Sequence, residues 1–209
     1  MAEVRTPRKA LAVNPLKMSQ PLGGALAFMG LADCMPLLHG SQGCTAFGMV
    51  LLVRHFREAI PFQTTAMNEL STILGGSEQV EEAIDNIRAR AKPKLIGLCS
   101  TALTDTRGED LAGAVREMRQ RRTDWQDLAL VHAPAPDTVG GLQEGWARAV
   151  TALIEALVPE QVELRRSSRQ INLLPGSHLT PGDVDELKEI CELFHLAPIV
   201  LPDLSQSLD

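Results

Sequence analysis

Four cysteines, Cys34, Cys44, Cys99 and Cys191, are the residues of this 209-residue chain best equipped for chemistry. No two stand at CxxC spacing, so zinc-ribbon and thioredoxin readings have no support. Cys44 is set apart by its surroundings, His39-Gly40-Ser41-Gln42-Gly43-Cys44. Gly40 and Gly43 allow a tight backbone path and the close approach of a bulky group. Cys44 falls where a helix should start, and unpaired amides and the helix dipole there favour the thiolate, the metal-binding form of cysteine. The same amides can hydrogen-bond to cluster sulfides. Ligation of iron is one chemistry this position suits. Two readings stand beside it. A small residue packed at a helix start is the commoner use of a free cysteine, and a nucleophile is the other. For a nucleophile the nearest bases are His39 and His55, and His55 lies about three helical turns along, which disfavours a dyad. An iron–sulfur site normally takes four protein ligands, and nothing local supplies the other three.

The elements that must position this segment follow from periodicity. Ser19-Gln20-Pro21 offers a helix start with Pro just inside it, and Pro36 is expected to end that helix. Residues 38–44 read as a loop feeding a second helix from Thr45 to about Glu58, with Phe47, Val50, Leu51 and Val53 on its apolar side. Beyond residue 78 the pattern becomes a repeating unit. Helices are predicted at 78–91, 110–122 and 139–157, with short apolar strands at 94–99 and 128–132 between them. That alternation predicts an α/β fold, a Rossmann-like parallel sheet covered on both faces. A fresh unit opens near Gln170, with a strand at 171–174, a helix capped at Thr180 and a strand region at 198–201. The expected division is therefore residues 1–168, carrying the cysteine motif, and 169–209, the beginning of a second Rossmann-like domain. Residues 160–169 form the charged linker, and the chain as a whole reads as an N-terminal fragment.

Composition removes other classes. Aromatic residues make up 3% of the chain and Tyr is absent, which argues against stacking on bases or sugars. A net charge of −6 disfavours a surface that tracks phosphates, so no nucleic-acid partner is expected. No charged start followed by an apolar run occurs, and no stretch long enough to span a bilayer, so a cytoplasmic protein without a membrane partner is predicted. Neither GxGxxG nor GxxxxGK[ST] is present, which speaks against nucleotide binding.

The run Pro36-Leu37-Leu38-His39-Gly40-Ser41-Gln42-Gly43-Cys44, followed by Arg54-His55-Phe56-Arg57-Glu58, resembles the β-type subunits of nitrogenase component 1. The resemblance continues through Gln63-Thr64-Thr65-Ala66-Met67-Asn68-Glu69, Gly75-Gly76 and Gly108-Glu109-Asp110-Leu111, and so covers essentially the whole chain. In that family the catalytic β subunit places three cysteines around its cluster. The first would fall at Ser19, the second falls at Cys44, and the third would fall at Ala102. Alanine has no donor atom and a hydroxyl is a poor one for iron, so an eight-iron cluster is not expected. The single surviving cysteine is similar to the pattern of the family's cofactor-assembly scaffolds.

The resemblance implies a [4Fe–4S] cluster shared with a NifE partner, which would contribute three of its ligands within an α2β2 heterotetramer. Cys44 would be the metal ligand, with Gly40 and Gly43 beside the cluster and no catalytic residue in this chain. It further implies a transient iron–molybdenum cofactor precursor, held mainly by the partner. Passing contacts with NifB, the nitrogenase iron protein and the nitrogenase MoFe protein are implied as well. Two alternatives are a catalytic β-type subunit of nitrogenase or a related iron–sulfur reductase, and a metal-free interaction module. Of the remaining candidates, Cys34 and Cys191 read as packed thiols and Cys99 as a packed thiol or a substitute ligand. His132 reads as a loop-capping residue, and Arg121-Arg122 as solvated charges.

Overall fold

The computed structural model describes residues 19–159 and 169–208. Residues 1–18, the linker at 160–168 and Asp209 lie outside them. The chain opens with helix α1 (Gln20–Met29), whose N-cap Ser19 accepts from the Leu22 amide. Strand β1 (Cys34–His39), helix α2 (Gln42–Leu52), strand β2 (Gln63–Thr64), helix α3 (Glu69–Leu74) and helix α4 (Ser77–Arg90) follow. Next come strand β3 (Leu95–Ser100), helices α5 (Ala102–Arg107) and α6 (Leu111–Arg121), strand β4 (Ala129–Ala133) and helix α7 (Leu142–Leu157). Strand β5 (Gln170–Leu173), helix α8 (Pro181–Leu193) and strand β6 (Ala197–Val200) complete the order.

The first four strands form one sheet in the order β2-β1-β3-β4, and every pairing is parallel. Parallel strands buried on both faces read as unbroken apolar runs, as Leu95–Cys99 does. One face is covered by α1, α7 and the end of α2, through Leu26, Phe28, Leu52, Trp146, Ala149 and Leu153. The other is covered by α4 and α6, through Val80, Ile84, Ile87, Leu111, Val115 and Met118. Helices α1 and α7 approach so closely that two glycines are obligatory. A Cβ on Gly23 would strike the Leu142 carbonyl, and one on Gly145 would strike the Gln20 carbonyl.

Several expectations are revised. Pro36 does not end a helix: α1 stops at Gly30, and Pro36 lies inside β1, paired with Gly97. It precedes Leu37 and Leu38, the two residues that β2 pairs, so its missing N–H breaks no bond on that edge. Leu38 and His39 therefore belong to a buried strand rather than to a loop. Helix α2 begins at Gln42 instead of Thr45 and ends well before Glu58. Its inward side is Thr45, Gly48 and Leu52, which leaves Phe47, Val50, Leu51 and Val53 facing outward. Arg122 is not a free surface charge. It bonds Glu81, Asp85 and Asp124 at 2.7–2.9 Å and lies 4.4 Å from the Trp125 ring centre, tying α4 to the turn after α6.

Strands β5 and β6 pair parallel as a separate two-stranded sheet, with Val184 and Cys191 as the buried residues of α8. The segment after β6 returns to the first sheet. Leu204, 1% exposed, joins the core under α1, and the Asp203 amide donates to the Gly30 carbonyl at 2.7 Å. Glu58 accepts from the Ser207 hydroxyl and the Leu208 amide, and Lys188 pairs with Asp203 at 2.6 Å.

Candidate functional site

Strand β1 hands the chain to α2 on one face of the sheet, and its neighbour β3 hands it to α5 and α6 on the other. Adjacent parallel strands whose connections leave on opposite faces open a crevice at their carboxyl ends, where α/β sheets place their sites. Cys44 follows β1 into this crevice and Ala102 follows β3.

Each of the three positions singled out by sequence sits at a helix start. Ser19 caps α1, Cys44 is the third residue of α2 and Ala102 is the first residue of α5. The fold brings them together. All three line one cavity of about 310 Å³, whose wall also includes Leu22, Leu38, Phe47, Gly48, Leu51, Thr101 and Asp137. Asp137 accepts the Gln20 amide at 2.9 Å, and burial pushes its carboxyl above the usual carboxylate range.

The Cys44 thiol is exposed, so the packed reading of this cysteine does not hold. Its hydrogen-bond partner is Ser41, whose Oγ lies 3.4 Å from Sγ, and the Cys44 amide donates to the Ser41 carbonyl at 3.2 Å. Ser41 occupies the N-cap of α2, yet its side chain makes no capping bond. A Cβ on Gly43 would meet nothing within 4 Å, so the backbone there is open to an approaching group. Gly40 differs: a Cβ there would come within 2.5 Å of Thr101 Oγ1, so the close approach at this glycine is made by the chain itself.

Neither histidine serves Cys44 as a base. His39 is fully buried, with Nδ1 3.0 Å from Thr65 Oγ1; Nε2 lies 3.4 Å from Glu109 Oε2 but makes no hydrogen bond. Burial lowers its pKa. His55 stacks edge-on against Phe56 and faces Asp183. The residues brought together around His39, namely Thr65, Gly76 and Glu109, come from three segments quoted above for their resemblance, a convergence that one-dimensional spacing could not show. His132 is a strand residue of β4 rather than a loop cap, and burial lowers its pKa to about 4. Cys99 faces the core under α1, where burial pushes its thiol up to about 12, so it does not reach the cavity as a substitute ligand. Cys34 is buried at the opposite end of β1.

Among the described residues no group of three or more His, Cys, Asp or Glu side chains is arranged to hold a metal ion. One accessible sulfur on a half-open cavity fits a cluster only if the remaining ligands arrive from outside the chain. Phe47 and Leu51 of the cavity wall are exposed apolar residues, and so are Val50 of α2 and Leu70, Ile73 and Leu74 of α3. Phe47 is 75% and Ile73 73% exposed. No helix among the described residues is long and apolar enough to cross a membrane.

Residues 19–207 match the family described as Nitrogenase component 1 type Oxidoreductase. The chain is 59% identical over its whole length to the nitrogenase iron-molybdenum cofactor biosynthesis protein NifN of Rhodobacter capsulatus, and 56% identical to NifN of Bradyrhizobium diazoefficiens. It covers 45% of each relative, and so spans about half the length of the proteins it resembles. Among solved structures, Nitrogenase Cp1 at pH 6.5 superposes with a TM-score of 0.83 at 31% identity, over 99% of this chain and 44% of that one.

Proposed function

The chain belongs to the nitrogenase component 1 type oxidoreductases, and from that premise we propose that it is part of a scaffold subunit in the biosynthesis of the iron–molybdenum cofactor. The observation that carries this reading is the cavity lined by Ser19, Cys44 and Ala102, where only the middle position offers a thiol. Cys44 supplies one ligand to a [4Fe–4S] cluster, and a NifE partner seated on the apolar faces of α2 and α3 supplies three. When bound, such a cluster stores and passes single electrons, here from the nitrogenase iron protein. The chain's own residues bind and orient: the Ser41 hydroxyl lies 3.4 Å from the Cys44 sulfur, and the open backbone at Gly43 leaves room beside it. The iron–molybdenum cofactor precursor arrives from NifB, is held mainly by the partner and leaves to the nitrogenase MoFe protein. The unit from residue 169 onward is the start of a second Rossmann-like domain, completed by further sequence of the kind its longer relatives carry.

Anaerobic co-purification of the full-length protein with NifE, followed by iron quantification and paramagnetic resonance, tests the ligand. Cys44→Ala should lose iron or change the resonance spectrum. Retention of the wild-type spectrum by that variant would remove Cys44 from the ligand set.

A further inference from the structure

Cys44 hangs from a turn that the chain clamps from two sides. The His39 carbonyl accepts the Thr101 hydroxyl at 2.8 Å, and the Gly40 carbonyl accepts the Met67 amide at 2.9 Å. The Gly40 amide donates to Thr65 Oγ1 at 3.1 Å, the same oxygen that meets His39 Nδ1 at 3.0 Å. On its other side the imidazole reaches Glu109, whose second oxygen accepts the Gly76 amide at 2.9 Å. Gly76 is the N-cap of α4, and a Cβ there would come within 2.5 Å of His39 Cε1.

Charge favours one direction for this chain of bonds. Nε2 makes no hydrogen bond, but it lies 3.4 Å from Glu109 Oε2, the oxygen that also accepts from Arg107, and a carboxylate at that distance favours the tautomer with its proton on Nε2. The neutral ring then has only a lone pair at Nδ1, and Thr65 must spend its one hydroxyl hydrogen there. Thr65 Oγ1 is left as a pure acceptor, which is what the Gly40 N–H requires. Protonation of the ring would instead present Thr65 Oγ1 with two donors. Its hydrogen would then turn to the Gly40 carbonyl, 3.4 Å away.

We propose that His39 is a positioning residue for the cluster site: as the Nε2–H tautomer it orients Thr65 to hold Gly40, and through Gly40 the turn that presents Cys44. The relevance to a cluster rests on the function proposed above, whereas the hold on the turn does not. The two ring nitrogens can be replaced separately. His39→Asn puts an amide oxygen where Nδ1 stood and keeps the Thr65 link. His39→Gln puts an amide N–H near the Nε2 position and keeps only the Glu109 link.

Hydrogen exchange at residues 40–44 of the iron-free full-length protein, with β3 as internal reference, reads the hold directly. His39→Gln should raise exchange in this segment about tenfold, as expected for loss of one buried hydrogen bond, while His39→Asn stays within about twofold of wild type. In the assembled complex the resonance spectrum should change in His39→Gln and not in His39→Asn. Equal behaviour of the two variants, or a rise of the same size in β3, would overturn the proposal. Should either variant fail to fold, Thr65→Val against Thr65→Ser reads the same link, and Val alone should release the turn. A wild-type assembly without iron would sink the cluster reading and leave the exchange result to decide the role of His39.

Discussion

His132 shows how one side chain can set a pH limit on the fold. Burial is the main reason that its pKa is lowered to about 4, and the nearby His39 pushes the same way. In an unfolded chain a histidine takes up its proton near pH 6.5. Between those values the unfolded state binds more protons than the folded one, so stability falls as pH falls. His132 alone should remove on the order of 2–3 kcal/mol between pH 6.5 and pH 4, and His39 adds to it in the same direction. Urea midpoints measured at pH 7 and pH 4.5 check this. His132→Gln should flatten the dependence, and a slope unchanged by that substitution would place the titrating group elsewhere. The sequence placed a strand at 128–132 but did not disclose the burial of His132, which depends on packing across the sheet beside its partner Leu98 of β3. For Cys44 the glycines and the helix start stand within six residues in the sequence, but the contacts that hold its turn, from Thr65, Met67 and Thr101, do not.

At the scale of elements, long helices with apolar positions three and four apart were readable, as α4, α6 and α7 show. The short ones were not. Helix α3 depends on a capping box between Asn68 and Ser71, and α5 on one between Thr101 and Thr104, over six residues each. Such helices have no second turn in which periodicity can appear. The apolar face of α2 was seen but turned the wrong way, since a sequence cannot distinguish a face buried in its own core from one left exposed. That distinction yields a test. Phe47→Ala or Ile73→Glu should weaken association with the partner about tenfold or more, with no loss of thermal stability in the free protein. Titration calorimetry and a melting curve together would show it, and an unchanged affinity would move the docking face elsewhere. The packing of α1 on α7 gives a contrasting expectation. Gly145→Ala must push its methyl against the Gln20 carbonyl, and should cost about 1–3 kcal/mol whether or not a partner is present.

Among the described residues, two apolar regions are exposed, one around α2 and α3 and one around the second sheet. In the second, Leu174, Leu193 and Phe194 are exposed, Phe194 by 71%. The 209-residue chain alone should therefore bind a hydrophobic dye and self-associate, and extension to the length of its relatives should reduce both. Light scattering of the two lengths at matched concentration measures this, and a dispersed short chain that binds no dye would contradict it. The placement of Leu204 has a different reach. Its side chain completes the core beneath α1, although some forty residues and a separate sheet intervene between it and the end of α7. During synthesis the four-stranded sheet can form its hydrogen bonds early, yet its floor stays open until Leu204 has cleared the ribosome. A nascent chain halted just after α7 would present that gap to chaperones and proteases, and it should be cut there at α1 far sooner than a chain released six codons past Pro202.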